Sequence, residues 1–317
     1  MHHRRAFILF LTAGISWRLF AHEPQASSGP LATHSILPSD TDSRIDKFTG
    51  GDWQHLSYFN TSAPDWKLLL VFLPGTGGKP GGPKGFCAFA ANEGFHVVSL
   101  AYPDDFSMSR LHASADPEAF QKARENVIHG QPPFGELNTG APNSIENRLG
   151  SLLRYLADHF PRENWRQFLL EKGGDPDYRK MILAGQSQGG GHAALMAYEH
   201  EAARVLMFGS PKDFNVHFNE PAKWYANPCA TPLTRFFSFV HSLDEGHGCT
   251  YPQQLENYRA MTLIPRYPVV NVDDSAPPYR HTRLLTSALP SDFPHGAPLK
   301  NPAYKNAWRY LLEEPTD

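Results

Sequence analysis

Apolar positions fall into short runs separated by helical stripes. Lys67 to Leu73, KLLLVFL, is apolar almost throughout, as a central strand covered on both faces requires. Phe95 to Ala101, Met181 to Ala184, Arg204 to Gly209 and Arg235 to His241 read the same way. His55 to Asn60 predicts an edge strand, and Val269 to Val272 and Thr282 to Leu285 are strand-like. Helical stretches lie between these runs, at Gly85–Asn92 and at the amphipathic Pro117 to Ile128. Ile145, Leu149, Leu152, Leu153 and Leu156 recur at helical spacing from Ser144 onward, and Pro161 stops that helix. Trp165, Phe168 and Leu169 predict a further turn or two. Tyr251 to Met261 predicts another helix, and Pro302 to Leu312 a closing one with Trp308 and Leu311 on its apolar side. Strands alternating with helices predict a three-layer α/β/α sandwich around a mostly parallel sheet.

Composition changes this picture little. The chain has 317 residues, 41% hydrophobic and 19% charged, enough for a sizeable core. Net charge is -3, with no basic stripe, so nothing argues for nucleic acid or an anionic membrane as partner. The opening does add something. A basic Met1-His2-His3-Arg4-Arg5, an apolar stretch from Ala6 to Ile15 and then Ala21 read as a signal peptide over residues 1–21. That predicts a secreted or periplasmic protein. The apolar stretch is too short for a membrane-spanning helix, which needs about 20 residues. Residues 22–50 are polar and turn-rich and read as a linker or N-terminal arm, leaving 51–317 as a single catalytic domain. Export permits disulfides. Cys229 and Cys249 flank a predicted strand and form the expected pair, with Cys87 a buried free thiol.

The densest candidate chemistry is Lys180 to Ala194, KMILAGQSQGGGHAA. A short apolar run leads into Gly185-Gln186-Ser187-Gln188-Gly189, which fits G-x-S-x-G, and the chain then turns helical. Strand, sharp turn and helix are the context of a nucleophile elbow. A serine hydroxyl needs a base to take its proton, so it must stand exposed where a histidine can reach it. The Gln188 amide, first in the helix, would point toward a developing oxyanion.

With these residues the chain resembles the α/β-hydrolases, over roughly residues 55–312. More narrowly, it is similar to a group of secreted bacterial hydrolases sharing an S-I-E-N-R-L helix (Ser144–Leu149), a G-x-S-Q-G-G-G-H elbow (Gly185–His192) and a terminal Trp308-Arg309-Tyr310. The resemblance implies a nucleophile, an acid and a histidine in that chain order, each after a core strand. It assigns them to Ser187, Asp244 and His295. Asp213 and Glu245 compete for the acid, and His281, His241 and His247 for the base. The oxyanion hole would take the Gln188 amide and a second donor, Thr76 or Gly77, from the loop Pro74-Gly75-Thr76-Gly77-Gly78.

The expected function is a serine hydrolase without cofactor, acting on carboxylic esters through an acyl-enzyme. A peptidase or amidase with the same triad is the alternative, and a non-catalytic binding protein a more distant one. The stretch Ser210 to Thr234 is short, so no large cap domain is expected. An open cleft would suit extended or polymeric esters. Phe106, Phe134, Trp224 and Tyr225 are candidate lining aromatics, and Glu146, Asn147 and Arg148 could line the cleft or simply cap a helix. No Cys/His spacing suggests zinc, and no G-x-G-x-x-G follows a strand.

Overall fold

The computed structural model describes residues 31–246 and 248–316. The signal peptide expected over 1–21 and the first part of the arm lie outside the described residues. In chain order the elements are β1 (Leu31–Ile36), α1 (Pro38–Thr41), β2 (His55–Asn60), β3 (Leu69–Leu73), α2 (Lys84–Asn92) and β4 (His96–Ser99). They continue with α3 (Ala119–His129), α4 (Ile145–His159), β5 (Met181–Gln186), α5 (Gln188–Glu199), β6 (Arg204–Phe208), β7 (Phe214–Asn215) and β8 (Glu220–Pro221). The last are β9 (Phe236–His241), α6 (Tyr251–Ala260), β10 (Val269–Asn271), β11 (Leu284–Ser287), α7 (Ala297–Lys300) and α8 (Lys305–Glu313).

Nine strands form one sheet in the order β1-β2-β4-β3-β5-β6-β9-β11-β10, and β7 and β8 pair as a separate hairpin. In the nine-stranded sheet β1 with β2 and β2 with β4 are antiparallel, whereas every other pair is parallel. The strand period of two divides the core between the faces. Leu69, Val71 and Leu73 join the layer with α3, α4 and α5. Leu70 and Phe72 join the layer with α2 and α8, where Trp308 meets Phe86 edge-on at 5.7 Å. Ser144 caps α4, its hydroxyl accepting from the Asn147 amide at 3.2 Å. Between β6 and β9 lie only the hairpin and two short 3-10 turns, with no large cap domain.

Two expectations are corrected. β2 is not the edge, because β1 pairs outside it, with Leu31 opposite Asn60 and Ile36 opposite His55. The arm therefore contributes a strand from residue 31. Its pattern hides this, because one inward position is His34, buried and stacked on Phe160 with ring centroids 3.6 Å apart. Cys229 and Cys249 are both free thiols, as is Cys87. Cys229 Sγ faces the Thr231 carbonyl at 3.0 Å at the end of α5, while Cys249 is buried near Asn257.

Candidate active site

All the parallel strands deliver their carboxyl ends to one edge of the sheet, where α/β proteins place their ligands. β5 ends at Gln186 and α5 begins at Gln188, so Ser187 alone makes the turn, at φ 54° and ψ -120°. A non-glycine residue there carries about 1–3 kcal/mol of strain, and the surroundings over-determine it. The Ser187 amide donates to the Phe208 carbonyl of β6 at 2.8 Å. The helix start presses against the end of β3, so that a Cβ on Gly189 would lie 2.1 Å from the Leu73 carbonyl oxygen. Only glycine permits that approach.

The structure brings Asp244 and His295 together. Asp244 follows β9 and is buried, and His295 Nδ1 lies 2.7 Å from its Oδ2. Burial pushes the Asp244 carboxyl up, but the His295 hydrogen bond and the Lys212 ammonium outweigh this and hold it at about 2. The His295 ring lies over Gly209, where a Cβ would come within 3.0 Å of Cε1. Ser187 and His295 line one cleft of about 370 Å³, together with Gly75, Thr76, Gln188 and Phe293.

The rivals are engaged elsewhere. Asp213 accepts Arg124 Nε at 2.7 Å and Nη2 at 2.6 Å, and Trp224 Nε1 at 2.9 Å. Glu245 is exposed. His281 pairs with Glu314 at 2.7 Å, and His241 Nε2 meets the Leu289 carbonyl at 2.8 Å. His247 lies outside the described residues.

The loop after β3, expected to supply the second oxyanion donor, needs one correction. The Gly77 amide donates to the Asp104 carbonyl at 3.2 Å, so it is not free for a substrate. Thr76 lines the cleft, and its hydroxyl donates to Gln188 Oε1 at 2.8 Å. The same oxygen accepts the Met108 amide at 3.1 Å, so one side chain ties three loops together beside Ser187. The Gln188 amide sits at the first helical position, where helix amides have no partner within the helix.

Other candidates turn out to be framework. Trp224 and Tyr225 are buried core and do not line the cleft. Phe134 packs against the same core, and Phe106 lines a neighbouring shallow groove with Arg110 and Leu137. The Ser144–Leu149 segment is structural. Arg148 is fully buried and donates to the carbonyls of Asn143 at 2.9 Å and Ala101 at 3.1 Å, and also to Lys47. Glu146 sits between His129 and His200, each at 2.9 Å.

The sequence reading missed Arg124 and Lys212. Arg124 lies on the buried side of α3 and its Nη1 donates to the Gln188 carbonyl at 2.9 Å. Its signal was a charge inside an apolar stripe, beside Phe120, Ala123 and Val127. Lys212 is buried and donates to Asp244 Oδ2 at 3.0 Å. Nothing in the sequence marked it. Among the described residues no cluster of three or more His, Cys, Asp or Glu side chains is arranged to hold a metal ion, and no helix is long and apolar enough to cross a membrane.

Strand order, elbow and site position together are those of an α/β-hydrolase fold. No family model and no curated protein matches the chain. Among solved structures it is similar to an acylaminoacyl peptidase from Pyrococcus horikoshii, at 13% identity and a TM-score of 0.42, covering 82% of this chain and 38% of that one. It is also similar to esterase B from Lactobacillus Rhamnosis, at 13% identity and a TM-score of 0.32, covering 58% of this chain and 49% of that one. The chain thus spans less than half the length of either protein.

Proposed function

We propose that this chain is a serine hydrolase that cleaves carboxylic esters through an acyl-enzyme on Ser187. The observation that carries the reading is the strained Ser187 turn in a cleft shared with a His295 already bonded to a buried carboxylate. In this reading Ser187 Oγ attacks the ester carbonyl as His295 Nε2 takes its proton. Asp244 holds the tautomer that leaves Nε2 free and stabilises the imidazolium. The Gln188 and Thr76 amides receive the oxyanion. Collapse of the tetrahedral intermediate expels the alcohol, protonated by His295. Water then repeats the sequence on the acyl-enzyme and releases the acid.

The rim supports an extended or water-insoluble ester. Seven large apolar side chains stand exposed among the described residues, and five of them, Val216, Phe218, Leu243, Leu289 and Phe293, lie on loops following β6, β9 and β11. Of these, Phe293 lines the cleft with Ser187 and His295, and an exposed apolar group at that place favours contact with an apolar part of a substrate.

The test is labelling with a fluorophosphonate probe, with the adduct mapped by mass spectrometry. An adduct on Ser187, abolished in Ser187→Ala, is expected. His295→Ala and Asp244→Asn should slow labelling by about 10³–10⁴, and Glu245→Gln should leave it within about twofold. No adduct on folded wild type refutes the reading. Matched ester and amide substrates then separate esterase from amidase. Activity restricted to short soluble esters removes the extended-substrate part.

A further inference from the structure

We propose that Lys212 is a positioning residue of this site: its ammonium shares Asp244 Oδ2 with His295, and so sets the acid limit of Ser187 reactivity lower than Asp244 and His295 alone would. The inference rests on the reading of Ser187, His295 and Asp244 given above.

The geometry is one of competition. Lys212 Nζ lies 3.0 Å and His295 Nδ1 2.7 Å from the same oxygen, and Gln254 Nε2 stands at 3.5 Å. The other oxygen, Oδ1, is buried without a hydrogen-bond partner among the described residues. The two nitrogens therefore divide one acceptor rather than taking an oxygen each. With the imidazole neutral, Lys212 and Asp244 form a balanced pair. Protonating His295 then places a second cation beside the first, where solvent screens little, since Lys212, Asp244 and His295 are all buried. Without Lys212 the same protonation would complete a balanced pair with Asp244 instead.

Among the described residues, Lys300 also lines the cleft, but its ammonium lies over the Phe293 ring at 5.5 Å rather than on Asp244, and the remaining groups facing this cluster do not supply the charge. Asp213 is committed to Arg124. Burial pushes the Cys249 thiol up to about 12 and the Tyr258 hydroxyl well above its ordinary range, so both stay neutral. Burial also pushes His112 down, toward its uncharged form. Local sequence explains how one turn after β6 serves both partners. Adjacent Lys212 and Asp213 point their opposite charges at Asp244 and Arg124 respectively. A buried ion pair adds little to stability by itself, which leaves tuning of the carboxylate as its consequence.

The test needs no substrate. The rate of fluorophosphonate labelling at Ser187 is followed from pH 4 to 9 in wild type and in Lys212→Met, Lys212→Gln and Lys212→Arg. Both nitrogens lie within about 3 Å of the same oxygen, and like charges that close together in a site that solvent screens little oppose each other enough to move the acid limb by about one to two pH units. Both neutral variants should show the limb at higher pH by that amount, and the arginine variant should keep it near the wild-type position. An unmoved limb in either folded neutral variant overturns the proposal. So does an arginine variant displaced as far as the neutral ones, because charge would then not be the cause. A wild type that fails to label sinks the triad reading instead, whereas a labelled wild type with unmoved limbs sinks only the role of Lys212.

Discussion

Replacing Gly191 by alanine should destabilise the fold, although the same change ordinarily stabilises a helix. Gly191 lies in α5, where alanine is intrinsically favoured over glycine by about 1 kcal/mol. Against this, an added Cβ would lie 2.2 Å from Arg124 Nη2 and 2.3 Å from Cζ. A flexible side chain could swing aside, but this guanidinium cannot. It is buried, held by two bonds to Asp213 and one to the Gln188 carbonyl. Overpacking of this kind costs about 1–3 kcal/mol. Displacing Arg124 would strand the buried Asp213 carboxylate, at about 3–5 kcal/mol. The protein will relax along the cheaper route, and a contact at 2.2 Å lies at the severe end of that range, so a net loss of about 2 kcal/mol, after the helix gain, is expected in urea unfolding. Gly85 is the internal control. It opens α2 with nothing within 4 Å of a Cβ, so Gly85→Ala should gain a few tenths to about 1 kcal/mol. Because Arg124 also anchors the Gln188 carbonyl, Gly191→Ala should slow fluorophosphonate labelling as well. A Gly191→Ala variant as stable as wild type would refute the packing argument.

Two further outcomes follow from the side chains outside the cleft. Glu146, then Glu199, hold His129 up to about 10 despite burial, so its contribution to stability is complete below about 6.5 and is lost as pH rises through about 10. Burial pushes Glu146 up, but His129 and His200 hold it at about 2, so its contribution is complete above about 4.5 and is lost as pH falls through about 2. The cluster is about a third exposed and screened by solvent. Glu146→Gln should therefore cost about 1 kcal/mol near pH 5–6 and less toward pH 10, and a melting-temperature difference constant over that range would count against the pairing. The unfolded, unreduced chain should titrate three thiols, whereas a single thiol would mean that Cys229 and Cys249 are bonded.

Much of the site's frame was legible because it depends on local backbone requirements. A G-x-S-x-G between an apolar run and a helical stretch has few other uses, and Ser187 does occupy the sharp turn. The glycines that follow could be read as tight packing, but not as packing against Arg124, which lies 67 positions earlier in the chain. The S-I-E-N-R-L segment looked like a solvated cap because Arg148 is charged. Its burial depends on backbone carbonyls at 101 and 143 that no local pattern reveals. Trp224 and Tyr225 are candidates for either lining or packing by sequence and are core, since aromatic rings serve either end and only the assembled layers decide.

The resemblance to the α/β-hydrolases supplied the candidate acid and base, whereas the sequence itself determined the alternation of strands and helices and the place of the elbow. These follow from periodicity and turn chemistry, which act over a few residues. Tertiary structure alone decided that Asp244 rather than Asp213 meets His295, that the Gly77 amide is spent on Asp104, and that Lys212 shares the carboxylate. Those outcomes turn on hydrogen bonds of about 3 Å between residues far apart in the chain. A displacement of one ångström would reassign them, and that precision comes only from the packing of the whole sheet.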